Sequence, residues 1–590
     1  MKLIKSVLVV LAFFAVQIPV NSQNKEGLIA FRNVNLITMT SEKVIPYQTV
    51  LIKGNKIFEI GSSRETDIPE DAVIIDGTGK YLMPGLADMH VHFGERDWET
   101  PDANLFLANG VTTVRDLSQG SFNSIKKWCE EFNSKKRLGP AIYNARTIWG
   151  WENNLLKIAP AAKENKYDCI KINSYLTKNA FYEIINEAKK LGIYTLGHIP
   201  CTINVSDVAA SGMNELSHIE VIVESLLFGP HYEAISSNNF EKLDEEVKSA
   251  SLKLLEAVHN DKSGTELNKI KVRLSEEVSK LKGKDFTITS TIAVEQSISW
   301  EFNDPQKIFE SSGSKYISQK YLDDLKNGVV KNSNFKGKEW AAQLFYDLVR
   351  YTAAEIRKNK IRILAGTDSG PTFLGIVPGF SLIDELKLLV ESGYSNYEAL
   401  SSSTREASKI IEKMTGRDEF GTVEVSKRAD LILLQNNPLD NIDNIRNPLG
   451  VMTAGVWLDK KELERLLDVK KKSIVPVLRD VWKNYSNVDS VISVYKKLRD
   501  ENKYNEYYVT ANSLTSIGYD LKKLGKNDVA LRIFKLNAEE YPYNANSFDC
   551  LGEIYLEMGD KQKAVENYEL ALKMDPAFDS SIKALKELGR

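Results

Sequence analysis

Between residues 27 and 83, apolar and polar positions alternate in short runs broken by turn residues. Residues 29–37 form one such run. Residues 49–53 and 56–60 flank Gly54-Asn55, which is a hairpin signal. Residues 73–80 run into a turn at Gly77-Thr78-Gly79. The same texture returns at 421–423, 429–434 and 450–458. The stretch between the two flanks has another rhythm. Apolar runs at 82–92, 111–116, 141–145, 169–172, 194–198, 215–219, 286–292 and 363–368 alternate with helical periods, such as 181–191, which Gly192 closes. Eight such units predict an α/β fold, a TIM-like (β/α)8 barrel whose functional residues gather at the strand C-termini. The barrel is expected over 85–417. A small β-sandwich domain is expected from both flanks, residues 23–84 and 418–462. Residues 221–284 are charged and helical and read as an insertion after the sixth strand, a candidate lid.

The end of the chain repeats itself. Aligning Ala511 with Ala545 sets Leu514 against Phe548, Gly518 against Gly552, Ala530 against Ala564, Phe534 against Tyr568 and Pro542 against Pro576. That 34-residue offset, with small residues where two helices cross, is the tetratricopeptide (TPR) pattern, a C-terminal α-helical repeat unit over 505–590 behind a helical linker at 463–504. Two copies are few, so docking on the neighbouring domain, self-association or a protein partner is expected. At the other end, Lys2 and Lys5 precede an apolar run over 6–16 and a short polar stretch. This reads as a signal peptide over 1–22 and predicts an exported protein, periplasmic or secreted, with no stable membrane anchor. A net charge of -3 argues against nucleic acid as a partner. The four cysteines are scattered without a CxxC pair and read as free thiols.

The candidate chemistry sits at the ends of the apolar runs. His90 and His92 close the first run at i and i+2, so both imidazoles face one side of a strand. Lys171 lies in the fourth run, His198 ends the fifth, His218 lies near the end of the sixth, and Asp368 ends the eighth. Imidazole and carboxylate suit zinc or a similar divalent ion. Taken singly, a strand-end histidine is an ordinary hydrogen-bonded core residue, and Asp368 is a helix cap. It is the set of six that points to a metal-dependent hydrolase.

The set resembles the amidohydrolase superfamily, in its imidazolonepropionase-like and prolidase-like branch, over about residues 27–458. The resemblance implies that His90, His92 and Asp368 hold a more buried metal ion, and that His198 and His218 hold a more exposed one. It further implies that Lys171 is N-carboxylated and bridges two divalent ions, zinc being the first choice. The other reading of Lys171 is an ordinary lysine paired with a carboxylate beside a mononuclear site. Asp368 would take the proton of a metal-activated water and pass it to the leaving amine. Candidate substrate-binding residues are Arg115, Tyr175, His231 and Tyr232. Arg115 suits either a substrate carboxylate or an acid inside the barrel mouth. The expected reaction is hydrolysis of a C–N bond in a small amide, such as a dipeptide or an N-acyl amino acid, as in an Xaa-Pro dipeptidase. An ester or lactone at the same site, or a scaffold acting through the repeats, are the alternatives.

Overall fold

A computed structural model describes residues 27–94, 100–118, 125–150, 152–174, 176–200, 203–228, 252–329, 335, 337–370 and 375–590. The reading of residues 1–22 as a signal peptide falls outside these, as do Tyr175, His231, Tyr232 and Cys201.

The middle of the chain forms eight parallel strands hydrogen-bonded in sequence order: β1 (Leu86–Val91), β2 (Val111–Asp116), β3 (Ala141–Ile148), β4 (Cys169–Ile172), β5 (Tyr194–Gly197), β6 (Glu215–Leu216), β7 (Thr287–Thr289) and β8 (Arg362–Leu364). Closure comes from the segment after β8. Met89 N donates to Ala365 O at 3.0 Å, Asp368 N to His90 O at 2.8 Å, and His92 N to Ser369 O at 2.7 Å. The sheet therefore curls into a nearly closed barrel. Every residue of β1 and β2 is buried, because helices cover the outer faces of parallel strands. The apolar run at 82–92 divides at Gly85. Tyr81–Pro84 joins the small sheet, and Leu86–Val91 opens the barrel.

The flanks form one sheet, not the sandwich of two that the pattern predicts. Its order is Val456–Asp459, Gly450–Thr453, Leu431–Leu434, Tyr81–Pro84, Leu28–Leu36, Ile45–Lys53, Lys56–Ser62, with Val73–Asp76 paired in parallel to Leu28–Leu36. The outer hairpin returns to residues just before Leu431, through Ile57 N to Lys427 O and Ala429 N to Asn55 O, both 2.9 Å. One curled sheet thus encloses Phe31, Val50, Leu431 and Met452.

A second helical excursion, unforeseen in the sequence, separates β7 from β8. It carries the helices Ile292–Asn303, Gln306–Glu310, Gln319–Lys326 and Glu339–Lys358. Its first helix is capped by Glu385, whose Oε2 accepts Ala293 N at 2.7 Å. Glu385 is wholly buried, and burial pushes its carboxyl up to about 7. The folded state then binds this proton more tightly than the unfolded chain does. Stability should fall as pH rises from about 4.5 to about 7, by about 3 kcal/mol from this residue. Glu385→Gln keeps an acceptor for Ala293 N and should flatten that slope. Urea midpoints measured across this pH range check it, and an unchanged slope would contradict the assignment.

Beyond the small sheet come helices at Lys460–Asp468, Ile474–Tyr485 and Val488–Asp500, then Ala511–Lys523, Asn527–Glu540, Ala545–Glu557, Lys561–Met574 and Asp579–Glu587. Gly518 lies under the Phe534 ring and Gly552 under the Tyr568 ring, where a Cβ would collide. The C-terminal helices lie on the barrel. Arg146, at the end of β3, pairs with Glu152 at 2.6 Å and with Asp575 at 2.8 Å, all three largely buried.

A candidate metal centre at the barrel mouth

The strand C-termini bring four of the six predicted ligands within 3.2 Å of another of the set, and the other two, His218 and His198, pack ring against ring beside them. His90 Nε2 and His92 Nε2 each lie 3.2 Å from Asp368 Oδ1. The ligand atoms of these three residues all fall within 4.8 Å of one another. Lys171 Nζ is 3.0 Å from His90 Nε2. The His218 ring sits 4.4 Å from that of His90 and 4.8 Å from that of His198, centroid to centroid. His90 is wholly buried, whereas the His92 side chain is 23% exposed, so the set runs from the interior toward the mouth.

Each of three imidazoles is held at Nδ1, and for His90 this leaves Nε2 facing Asp368 and Lys171. His90 Nδ1 is 3.1 Å from Ser217 O, and a carbonyl only accepts, so this nitrogen carries the hydrogen. His218 Nδ1 lies 2.9 Å from both Thr291 Oγ1 and Glu220 Oε1. His198 Nδ1 lies 2.7 Å from Ser174 Oγ. Such outer partners fix tautomer and ring orientation in metal sites. Burial, with the positive charge of Lys171 next, holds the His90 imidazole well below its ordinary range. Burial, then His218, does the same to His198, and burial lowers His218 to about 4. Neutral imidazoles with exposed lone pairs are the form that binds metal.

Backbone geometry places these groups. Gly197 adopts φ 143°, and a Cβ there would run into the Ile172 backbone, so only glycine lets β5 approach β4 closely enough to set His198 beside Lys171. Asp368 (φ 54°) and Thr291 (φ 59°) are left-handed without being glycine. Such conformations are uncommon, above all for a β-branched residue, and concentrate at functional sites. Asp88, wholly buried, ties β1 to the Asp368 turn. Its Oδ1 accepts Thr367 N at 3.1 Å, and its Oδ2 accepts the Thr367 hydroxyl at 2.6 Å. Burial pushes the Asp88 carboxyl up to about 7. Sequence reasoning misses Asp88, Glu220 and Thr291. Asp88 stands two residues before His90 on the same strand, a strand-face spacing that offers a signal, whereas Glu220 opens the helix that follows His218. Nothing local marks Thr291.

Of the two readings of Arg115, the internal acid is the one the geometry shows. Its side chain is wholly buried and forks onto Glu215, with Nη1 to Oε2 at 2.9 Å and Nη2 to Oε1. Glu215 also accepts Tyr194 Oη at 2.9 Å and Thr289 Oγ1 at 2.6 Å. Contacts from β2 to β6, β5 and β7 cross the barrel interior, so this arginine serves the internal acid and is out of a substrate's reach. His259 stacks on Trp340 at 4.1 Å, on an exposed surface.

The donor set fits a divalent ion: neutral imidazoles, one carboxylate, and a buried Asp368 Oδ1 without a hydrogen-bond donor among the described residues. His90, His92 and Asp368 can hold one ion, and the His218 and His198 rings stand beside them.

No protein-family model matches the chain. It is 34% identical over 94 residues to an adenine deaminase of Staphylothermus marinus, covering 15% of each chain. It is 32% identical over 122 residues to an imidazolonepropionase of Idiomarina loihiensis, covering 20% of this chain and 29% of that one. The matched stretches thus span less than a third of either relative. Among solved structures, a bottromycin amidohydrolase superposes with TM-score 0.53 at 17% identity, over 74% of this chain and 88% of the other. An Xaa-Pro dipeptidase with bound methionine superposes with TM-score 0.50 at 18% identity, over 73% of this chain and all of the other. The fold is that of these hydrolases.

Proposed function

We propose that the chain is a divalent-metal-dependent hydrolase of the amidohydrolase superfamily that cleaves a C–N bond in a small amide, such as a dipeptide or an N-acyl amino acid. The observation that carries this is the convergence of His90, His92 and Asp368 within ligand distance, with Lys171, His198 and His218 beside them at the barrel mouth. The deaminase and imidazolonepropionase relatives and the two superposed hydrolases support C–N cleavage. The dipeptide preference leans on the Xaa-Pro dipeptidase alone.

Bound divalent ions would polarise the substrate carbonyl and acidify water. The chain's own groups do the rest. The Asp368 carboxylate faces the reacting space at the end of β8, where it can take a proton from the attacking water and return it to the leaving nitrogen. The outer partners at Nδ1 keep His90, His198 and His218 from rotating. Lys171 is a buried amine among imidazoles. Its neutral form can add carbon dioxide with loss of a proton, and the resulting carbamate is an anionic oxygen ligand where a charged ammonium would be costly. Zinc suits the donors best. We also read the N-terminal 22 residues as an export signal, and Ala511–Glu540 and Ala545–Met574 as two tetratricopeptide units.

Elemental analysis of wild type and Lys171→Ala, both produced under ample carbon dioxide, tests the centre. Two ions per chain falling to one or none is the expected result. One ion unaffected by the substitution would remove the bridging role of Lys171. No bound ion after reconstitution would overturn the hydrolase. Matched amide and ester substrates then separate C–N from C–O cleavage.

A further inference from the structure

The segment that leaves β1 carries His92 and then departs from the sheet at Phe93 and Gly94. Four of its backbone groups are taken by partners elsewhere in the chain. His92 N donates to Ser369 O at 2.7 Å, Phe93 N to Asp116 Oδ1 at 2.9 Å, and Gly94 N to Asp102 Oδ2 at 2.8 Å. The Gly94 carbonyl accepts from the Tyr508 hydroxyl, which belongs to the chain beyond both the barrel and the small sheet. Gly94 has φ 72°, and a Cβ there would strike the Trp128 ring, so the backbone is pressed close to its surroundings. Tyr508 packs on the same Trp128, ring centroids 6.0 Å apart.

Tyr508 is itself held rigidly. It ends a two-residue strand, Tyr507–Tyr508, paired with Lys472–Ser473. Just before it, Asn505 donates to Asn104 Oδ1 at 2.8 Å and to Leu138 O at 2.7 Å, and accepts Arg137 Nε at 2.8 Å. Asn104 in turn donates to Tyr504 O at 3.0 Å and Leu466 O at 3.2 Å. Asn104 and Asn505 are almost wholly buried. Asn104 stands on the helix Asp102–Ala108, the helix whose first residue holds Gly94 N. The post-barrel chain therefore reaches Gly94 by two routes, directly through Tyr508 and through Asn104 to Asp102.

We propose that Tyr508 is a positioning residue for the metal centre: its hydroxyl fixes the Gly94 carbonyl and so the exit of the strand that presents His92. Of the three residues with ligand atoms within 4.8 Å of one another, His92 is the most exposed and is followed directly by Phe93 and Gly94, so the way these two are held bears on its placement. The C-terminal part of the chain is then a working part of the centre rather than an appendage. This rests on the metal-centre reading above.

The test is release of zinc from the reconstituted full-length protein into excess chromogenic chelator. Tyr508→Phe keeps the ring on Trp128 and removes only the hydroxyl. Outer partners of metal ligands commonly alter affinity by about 10–100-fold, and Tyr508 acts one step further out, so release about three- to tenfold faster is expected. Asp102→Ala frees Gly94 N from the barrel side and should also speed release, which keeps the test open should Tyr508→Phe fail to fold. Asn153→Ala removes an exposed docking bond to Asp579 and should leave release unchanged. Equal rates in wild type and Tyr508→Phe, or an equal acceleration in Asn153→Ala, would overturn the positioning role while leaving the centre intact. A wild-type protein that takes up no zinc would overturn the centre itself and the proposal with it.

Discussion

Asp368→Asn is expected to lower kcat/KM on any amide substrate by about 10²–10⁴-fold, the range that loss of a positioned acid–base group produces. The asparagine has nearly the same shape, so the effect isolates charge and proton-accepting power. Three features single out this carboxylate. Its Oδ1 lies 3.2 Å from two imidazole Nε2 atoms, its backbone is held in a strained left-handed conformation, and its turn is tied to β1 through Asp88 and Thr367. A residue that only capped a helix would need none of these. Metal content must be measured alongside the rate, because loss of a ligand and loss of a proton carrier both slow turnover. Retained metal with a large fall in rate assigns the proton-transfer role. Lost metal assigns the ligand role first. Activity within tenfold of wild type at equal metal content would remove Asp368 from the mechanism.

The clustering of the six residues is legible because a β-strand writes its geometry into sequence: His90 and His92 at i and i+2 need nothing beyond local alternation to face one way. The barrel is legible for the same reason, each apolar run being a strand buried on both faces. The features that do not show in the sequence depend on distant partners. Asp88 gains its meaning from Thr367, and Thr291 gains its meaning from His218. The small domain reads as a sandwich because alternation fixes which side of a strand is buried and says nothing about whether two flanks share hydrogen bonds. The excursion after β7 stays hidden because its helices carry the same period as ordinary barrel helices. Arg115 suits both a substrate anchor and a partner for an internal acid. Only the crossing of the barrel by its side chain decides between them.

That crossing gives the largest expected effect on stability. Arg115 and Glu215 are both wholly buried and face each other across the barrel interior, with Tyr194 and Thr289 donating to the same carboxylate. Glu215→Ala leaves a guanidinium without its counter-charge in the core, and a broken buried pair costs about 3–5 kcal/mol. Arg115→Ala should cost a similar amount, since it strands the carboxylate. The double variant Arg115→Met with Glu215→Leu removes both charges and should cost clearly less than the sum of the two single changes, with Tyr194 and Thr289 losing their acceptor as the main residual penalty. Urea unfolding of wild type, Arg115→Met, Glu215→Leu and the double variant, which form a closed cycle, measures the coupling. Additive costs, or a Glu215→Ala change below about 1 kcal/mol, would mean that water reaches the pair and that the barrel interior is open. A strongly coupled pair carries a functional consequence as well. The guanidinium that the sequence offered for a substrate carboxylate is then fully engaged by the protein. Any recognition of an acidic substrate group must come from other residues around the mouth, and a charge-neutral Arg115→Met/Glu215→Leu protein that still folds should keep its substrate preference.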